Sequence, residues 1–329
     1  MTVKLQNNPT IRTLAHDLGA RISTDPVTAI KGHCHRQIKQ YLKEFGICTT
    51  LTGLLALAAQ KLGTTFREIH SDTDLRNLIH EFAARREPCA AFFEPELTHD
   101  VFGITFRLVN AGKFDLPYVS IIDCRGSKAH RAYFTKWHEL GHLLILTDQR
   151  RFAFKRTHAL HEFKSPEESI VDVIAGEFAY YEPMIRPFVK GPLTFEAIDV
   201  ARQSLCPDGS YASALFGLVK IWPVACVLVE AKWAPKRSGD DHALRAVHVA
   251  VNDEARSADL RLHKNFRVPK RSLIHRVFDG AVSDSAADEN LNWWESSDGT
   301  KLPDQRVRVL TKRIGDTVYA LLIPVHSSD

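Results

Sequence analysis

The alternation of apolar and polar positions divides the chain into a helical first part, a mixed middle and a strand-rich end. Residues 1 to about 80 carry helical spacing. The stretch 51–62 is rich in leucine and alanine and closes at Gly63, as a helix with a glycine stop would. A second helix opens at Ser71 or Asp72 and sets Leu75, Leu78, Ile79 and Phe82 on one face. The period shortens to two over 104–109 and 118–122, which predicts strands joined by a turn through Asn110-Ala111-Gly112-Lys113. Two helices follow, about 131–147 and 166–182, separated by a polar and basic loop. Beyond Pro192, residues 195–204 and 210–220 form a short helix pair around Pro207-Asp208-Gly209. From 223 onward the pattern is strand-like, with segments 224–229 and 246–251 and a hairpin of 307–312 with 317–325 turning at Gly315-Asp316. The polar stretches 235–241 and 283–288 read as loops. The pattern predicts an α+β protein with a helical N-terminal region (1–75), a mixed core (76–190), a helix pair (191–222) and a β-rich C-terminal domain (223–329).

Composition narrows the class. The chain has 329 residues, 44% hydrophobic and 25% charged, as expected of a soluble globular protein. No stretch approaches the ~18 apolar residues that a membrane span needs. The first residues lack the apolar core of a secretion signal, so a cytoplasmic location is expected. Six cysteines are scattered without a Cys-x-x-Cys pair, which fits reduced thiols and disfavours a cysteine zinc knuckle. The net charge of +4 is too mild to imply nucleic-acid binding. The sixteen histidines are the unusual feature, because histidine is the commonest metal ligand.

Chemistry concentrates at His138-Glu139-Leu140-Gly141-His142. Residues four apart on a helix are rotated by only about 40°, so both imidazoles point the same way and can share one Zn2+. Glu139 beside them is placed to act as general base on a water and then as general acid toward the leaving amine. Tyr133, Phe134, Trp137, Leu140, Leu143, Leu144, Ile145 and Leu146 surround this helix, which predicts burial. Two histidines and a glutamate inside a buried helix are costly unless something satisfies them, and a metal does so directly. The bland alternative is a pair of hydrogen-bonded core histidines.

A catalytic zinc needs a third protein ligand. Asp148 would follow a continuation in which the required glycine is replaced by Ile145. His158 or His161 of the loop is a second source. A third is Glu168, on the helix that Ser165 caps and Pro166 opens, with Glu167 as its substitute if that helix is rotated. Glu168, Val171, Asp172, Ala175 and Ala179 share one face, and the small alanines let that face lie close to the histidine helix. Glu168 is preferred, although Ser165 and Glu168 also fit a capping box. Asp172 is a candidate hydrogen-bond acceptor for a ligating histidine, or else a partner for a nearby base.

The run Tyr133-Phe134-Thr135-Lys136-Trp137-His138-Glu139-Leu140-Gly141-His142, with Arg131 before it, resembles the core of the ImmA/IrrE family of zinc metallo-endopeptidases. The stretch 168–183 resembles that family's second motif, with Glu168 on the ligand position and Asp172 on an asparagine. It is two residues longer, has Ile170 in place of a glutamate and carries an extra Tyr180-Tyr181, while Trp137 replaces an alanine. The resemblance covers roughly residues 50–222. It implies a gluzincin-type, zincin-like core with a small sheet. It also implies a cytosolic peptidase whose protein substrate is a helix-turn-helix (Xre-type) repressor in a stress or mobile-element response. The helix pair 195–220 is similar to a helix-turn-helix segment of one branch, after which a sensory domain follows; the β-rich end could hold such a domain. The alternative is a non-proteolytic zinc-containing regulator that binds DNA or a repressor.

Other signals carry less. The loop 149–156 interleaves basic residues with phenylalanines and could face an acidic substrate or nucleic acid, though a solvated loop pinned by its aromatics is the simpler role. His33-Cys34-His35 lacks partner ligands. Trp293-Trp294 could contact a ligand or anchor packing. Arg131, His158, His161 and Tyr180 are candidates for substrate or oxyanion contact.

Overall fold

The computed structural model describes residues 5–20, 25–46, 48–112, 115–147, 153–157, 165–235, 242–283, 285–296 and 299–325. The protein is mixed α+β. Its chain divides into two compact units, one of residues 1–184 with 204–210, the other of 185–203 with 211–329.

The first unit opens with helices α1 (Pro9–Asp17), α2 (Pro26–Phe45) and α3 (Leu51–Lys61). Asn8, Asp25 and Thr50 cap them with side-chain oxygens, and prolines occupy the first turns of α1 and α2. Strand β1 (Thr64–Ile69) follows, a departure from the all-helical reading of this region. Its six residues are too few to show a period between two helices. Helix α4 (Asp72–Ala84) begins at Ser71 with a complete Ser71–Asp74 capping box. Helix α5 (Ala90–Glu96) and strands β2 (Val101–Arg107) and β3 (Tyr118–Asp123) lead through a 3-10 turn (Gly126–Arg131) into α6 (Ala132–Leu144). Strand β4 (Ala153–Thr157) then precedes α7 (Pro166–Ala179) and the short α8 (Glu182–Ile185).

The four strands form one sheet in the order β1-β3-β2-β4. β1 runs parallel to β3, while β2 is antiparallel to both β3 and β4. Side chains alternate across a strand, and β2 is buried on both faces. Ile104 and Phe106 pack with Leu75, Leu78, Phe82 and Phe93 of α4 and α5. Gly103 and Thr105 face the other way and meet α6. β4 occupies part of the stretch expected to be a basic loop, where its hydrogen bonds to β2 supply the order that its sequence does not announce.

Helices α9 (Phe195–Leu205) and α10 (Tyr211–Val219) match the expected pair within a residue or so; α10 and all but the last two residues of α9 belong to the second unit. The antiparallel sheet is ordered β6-β5-β9-β8-β7, built from β5 (Val227–Pro235), β6 (His242–Val251), β7 (Ala286–Asn290), β8 (Arg306–Ile314) and β9 (Thr317–Pro324). Its core joins Val227, Val229, Leu244, Val309 and Leu322 to Leu273, Ile274 and Val277 of a short helix (Leu273–Phe278). The hairpin β8–β9 turns at Gly315, whose φ of 57° suits glycine. β7 overlaps the 283–288 stretch read as a loop; as an edge strand with one buried position in five, it has no apolar period to show. Among the described residues, no helix is long and apolar enough to cross a membrane.

Candidate metal centre

Helix α6 is buried on almost every side, including His138, Glu139 and His142. Glycine explains how α7 comes so near it. A Cβ on Gly141 would lie 3.0 Å from Val171 Cγ1 and 3.3 Å from the Val171 carbonyl oxygen, so the two helices touch where the motif has no side chain. Ala175 and Ala179 are fully buried on α7, as the small-residue face requires. The Tyr133 hydroxyl donates to the Ala179 carbonyl at 2.8 Å, and Trp137 stacks on Phe178 at 6.1 Å between ring centres.

Between these helices His138, His142 and Glu168 form a group whose ligand atoms all lie within 4.8 Å of one another, a group that could hold a metal ion. His138 Nε2 is 3.1 Å from Glu168 Oε2, and His142 Nε2 is 3.0 Å from Glu168 Oε1. The Ser165 hydroxyl oxygen accepts from the Glu168 backbone amide, so the helix is capped there while the Glu168 carboxylate turns to the histidines. Burial works to raise the Glu168 carboxyl, but the two imidazoles outweigh it and hold it below the ordinary carboxylate range.

Asp172, one turn on, accepts from His138 Nδ1 at 2.8 Å. A proton held on Nδ1 leaves the Nε2 lone pair directed toward the group's centre. Glu167 stands on the far side of His142, with Oε1 4.0 Å from Nδ1. It therefore faces the ring nitrogen opposite to the one that meets Glu168.

Glu139 is wholly buried. Its Oε2 accepts from the Thr105 hydroxyl at 2.8 Å, and its Oε1 has no hydrogen-bond partner among the described residues. Gly103 makes room for this carboxylate, since a Cβ there would sit 2.6 Å from Thr135 Cγ2 and 3.0 Å from Glu139 Oε1. Behind Thr105 runs a buried chain of hydroxyls, Thr105 to Ser120 at 2.7 Å and Ser120 to Thr64 at 2.9 Å. An ionised Glu139 only accepts, so Thr105 donates to it, Ser120 to Thr105 and Thr64 to Ser120. Burial pushes the Glu139 carboxyl up, against the pull of His138 and His142. Sequence reasoning missed this hydroxyl chain; its one trace is polar residues at inward strand positions.

The residues present fit a metal ion. Two imidazoles and a carboxylate converge, a second carboxylate orients one imidazole, and the neighbouring buried Glu139 carboxylate has one oxygen without a hydrogen-bond partner among the described residues.

Other candidates lie elsewhere. Arg131 is exposed, its guanidinium 4.8 Å from the centre of the Phe102 ring, and with Phe102, Asp123, Arg125 and Lys128 it borders a cavity of about 750 Å³. Tyr180 is buried with its ring against Tyr133 and its hydroxyl beside Gly209. Asp148, His158 and His161 lie outside the described residues, as do residues 149–152 of the basic loop. His33, Cys34 and His35 fall on α2, where His33 meets Gln37, Cys34 is buried and His35 pairs with Glu177 at 2.9 Å. Trp294 is buried, and Trp293 lies beneath the Arg271 guanidinium at 4.2 Å. The chain matches no family model and no curated protein.

Proposed function

We propose that this protein is a zinc-dependent endopeptidase. The observation that carries the reading is the buried Glu139 carboxylate, one oxygen held by Thr105 and the other without a hydrogen-bond partner among the described residues, beside three converging ligand groups. A purely structural metal site has no use for such a base. His138, His142 and Glu168 would hold the ion, and Asp172 would fix the His138 ring. Bound zinc supplies positive charge that acidifies water and polarises a peptide carbonyl.

The protein's own residues do the rest. Glu139 Oε1 takes a proton from the attacking water as its oxygen bonds to the carbonyl carbon. The same oxygen returns that proton to the amide nitrogen as the carbon–nitrogen bond breaks. Thr105 keeps Oε2 engaged throughout, so one oxygen does the proton work.

The substrate class follows from the resemblance to ImmA/IrrE peptidases: a specific regulatory protein, a helix-turn-helix repressor, cleaved in the cytoplasm. The test is co-expression with repressors encoded beside the gene. A discrete cut that Glu139→Gln removes while zinc stays bound supports the reading. A cut that persists in Glu139→Gln, or a wild-type protein without zinc by elemental mass spectrometry, overturns it, and zinc bound with no cut of any repressor favours the non-proteolytic regulator.

A further inference from the structure

A second trio of ligand types converges in the same unit: Glu68, His70 and Cys124. Glu68 belongs to β1 and His70 lies just past its end, two residues on, so both side chains leave the strand on the same side. Parallel pairing of β1 with β3 brings the residue after β3 alongside, and the Cys124 amide donates to the Ile69 carbonyl at 2.8 Å.

The spacings around Glu68 Oε2 combine one thiol hydrogen bond with one longer contact to an imidazole. Glu68 Oε2 is 3.4 Å from His70 Nε2 and accepts from the Cys124 thiol at 3.7 Å. The nitrogen contact exceeds the roughly 2.7–3.2 Å of an N–H···O bond. Both match the edges of a tetrahedron around an ion with bonds of about 2.0–2.3 Å. The other oxygen, Glu68 Oε1, is already engaged by Lys136 Nζ at 2.6 Å. Oε2 is thus the oxygen left to face the imidazole and the sulfur.

We propose that Glu68 Oε2, His70 Nε2 and Cys124 Sγ form a second binding site for a zinc-class divalent cation. This goes beyond the peptidase reading and does not depend on it. Sulfur and imidazole select a borderline-soft ion over magnesium or calcium. The site is open to solvent through the 63% exposed His70, which gives the ion a path in and leaves its fourth position to water. Burial, reinforced by the Glu68 charge, pushes the Cys124 thiol up to about 12. An ion in the gap offsets that charge and displaces the proton. Through Lys136 the site ties the ends of β1 and β3 to the helix that carries His138. Its exposed imidazole makes it the weaker of the two sites, filled after the buried one.

Cobalt titration of the metal-free full-length protein tests this. The His138 site contains no sulfur, so a near-ultraviolet thiolate-to-cobalt charge-transfer band reports the second site alone. The expected result is a band that grows with a second equivalent, vanishes in Cys124→Ser and persists in His138→Ala. His70→Ala, a change at an exposed side chain that leaves folding intact, should weaken that equivalent by at least about tenfold. No thiolate band in the wild type, a band that survives Cys124→Ser, or unchanged affinity in His70→Ala overturns the proposal. Each of these outcomes leaves the peptidase reading untouched.

Discussion

At the scale of single residues, the centre depends on what is small or hydroxylic near Glu139. Gly103 has no positive φ; it is glycine because a methyl would meet Thr135 and Glu139 Oε1. Gly103→Ala is expected to displace the carboxylate and cost about 1–3 kcal/mol by overpacking, read as a lower midpoint in urea unfolding. Thr105→Val keeps the shape but removes the donor to Glu139 Oε2. If the protein is the proposed peptidase, cleavage should fall by roughly ten- to hundredfold, at the ~1.5–3 kcal/mol that one hydrogen bond to a charged group is worth. Zinc content should not change, and Thr105→Ser should restore the rate. On the proposed peptidase reading, Glu139→Gln should cost more, about 10²–10⁴ in rate, because there it would remove the proton carrier rather than its support. Of these residues, Glu139 was legible from the motif. Thr105 and Gly103 were not, because a strand position says nothing about which helix residue will lie opposite.

At the scale of elements, the close contact of α6 with α7 brings Glu168 and Asp172 to His138. Gly141→Ala should push Val171 away, lower stability by about 1–3 kcal/mol and weaken zinc binding, measured by competition with a chelator. α7 is also tied to α2, where Glu177 pairs with Lys31 at 2.7 Å and with His35. Burial works to raise the Glu177 carboxyl, but hydrogen bonds from His35 and Lys31 outweigh it and hold it at about 2, against an ordinary 4.5. A depressed carboxyl stabilises the folded state fully above its ordinary value and loses that contribution as pH falls toward the folded one. With Glu177 about a third exposed, the contribution is about 2 kcal/mol. Wild type should therefore exceed Glu177→Gln by about that much at neutral pH, and more than half of the gap should be gone at pH 3, as urea unfolding at the two values will read. The helix 166–179 and its caps were readable from Ser165, Pro166 and the apolar period. The Glu177 tie was not, since it joins residues 142 positions apart.

At the scale of the whole molecule, each of the two units has its own core and sheet. Calorimetry is expected to resolve two transitions. Zinc at a hundredfold excess over its Kd should raise the one belonging to the first unit by about 2.7 kcal/mol of stability and leave the other in place. Chelation should reverse the shift. A metal that moves both transitions equally, or neither, contradicts the assignment of the centre to residues of the first unit.

Local pattern by itself determined the α+β class, the long helices with their caps, the hairpin at Gly315 and the shared helix face of His138 and His142. These are properties of spacings of four residues or fewer, which backbone geometry turns directly into direction. Sequence preferred Glu168 as the third candidate ligand over Asp148, Glu167 and the loop histidines, and the structure brings its carboxylate to both imidazoles. Tertiary structure alone decided that β1 and β4 join the sheet, that β7 forms its far edge in the second unit, and that Thr64, Ser120 and Thr105 line up behind Glu139. It also decided that Glu68 and His70 meet Cys124. These pairings depend on strand order and register, which are set when distant segments bury their apolar faces together, and no short window of the chain contains both partners.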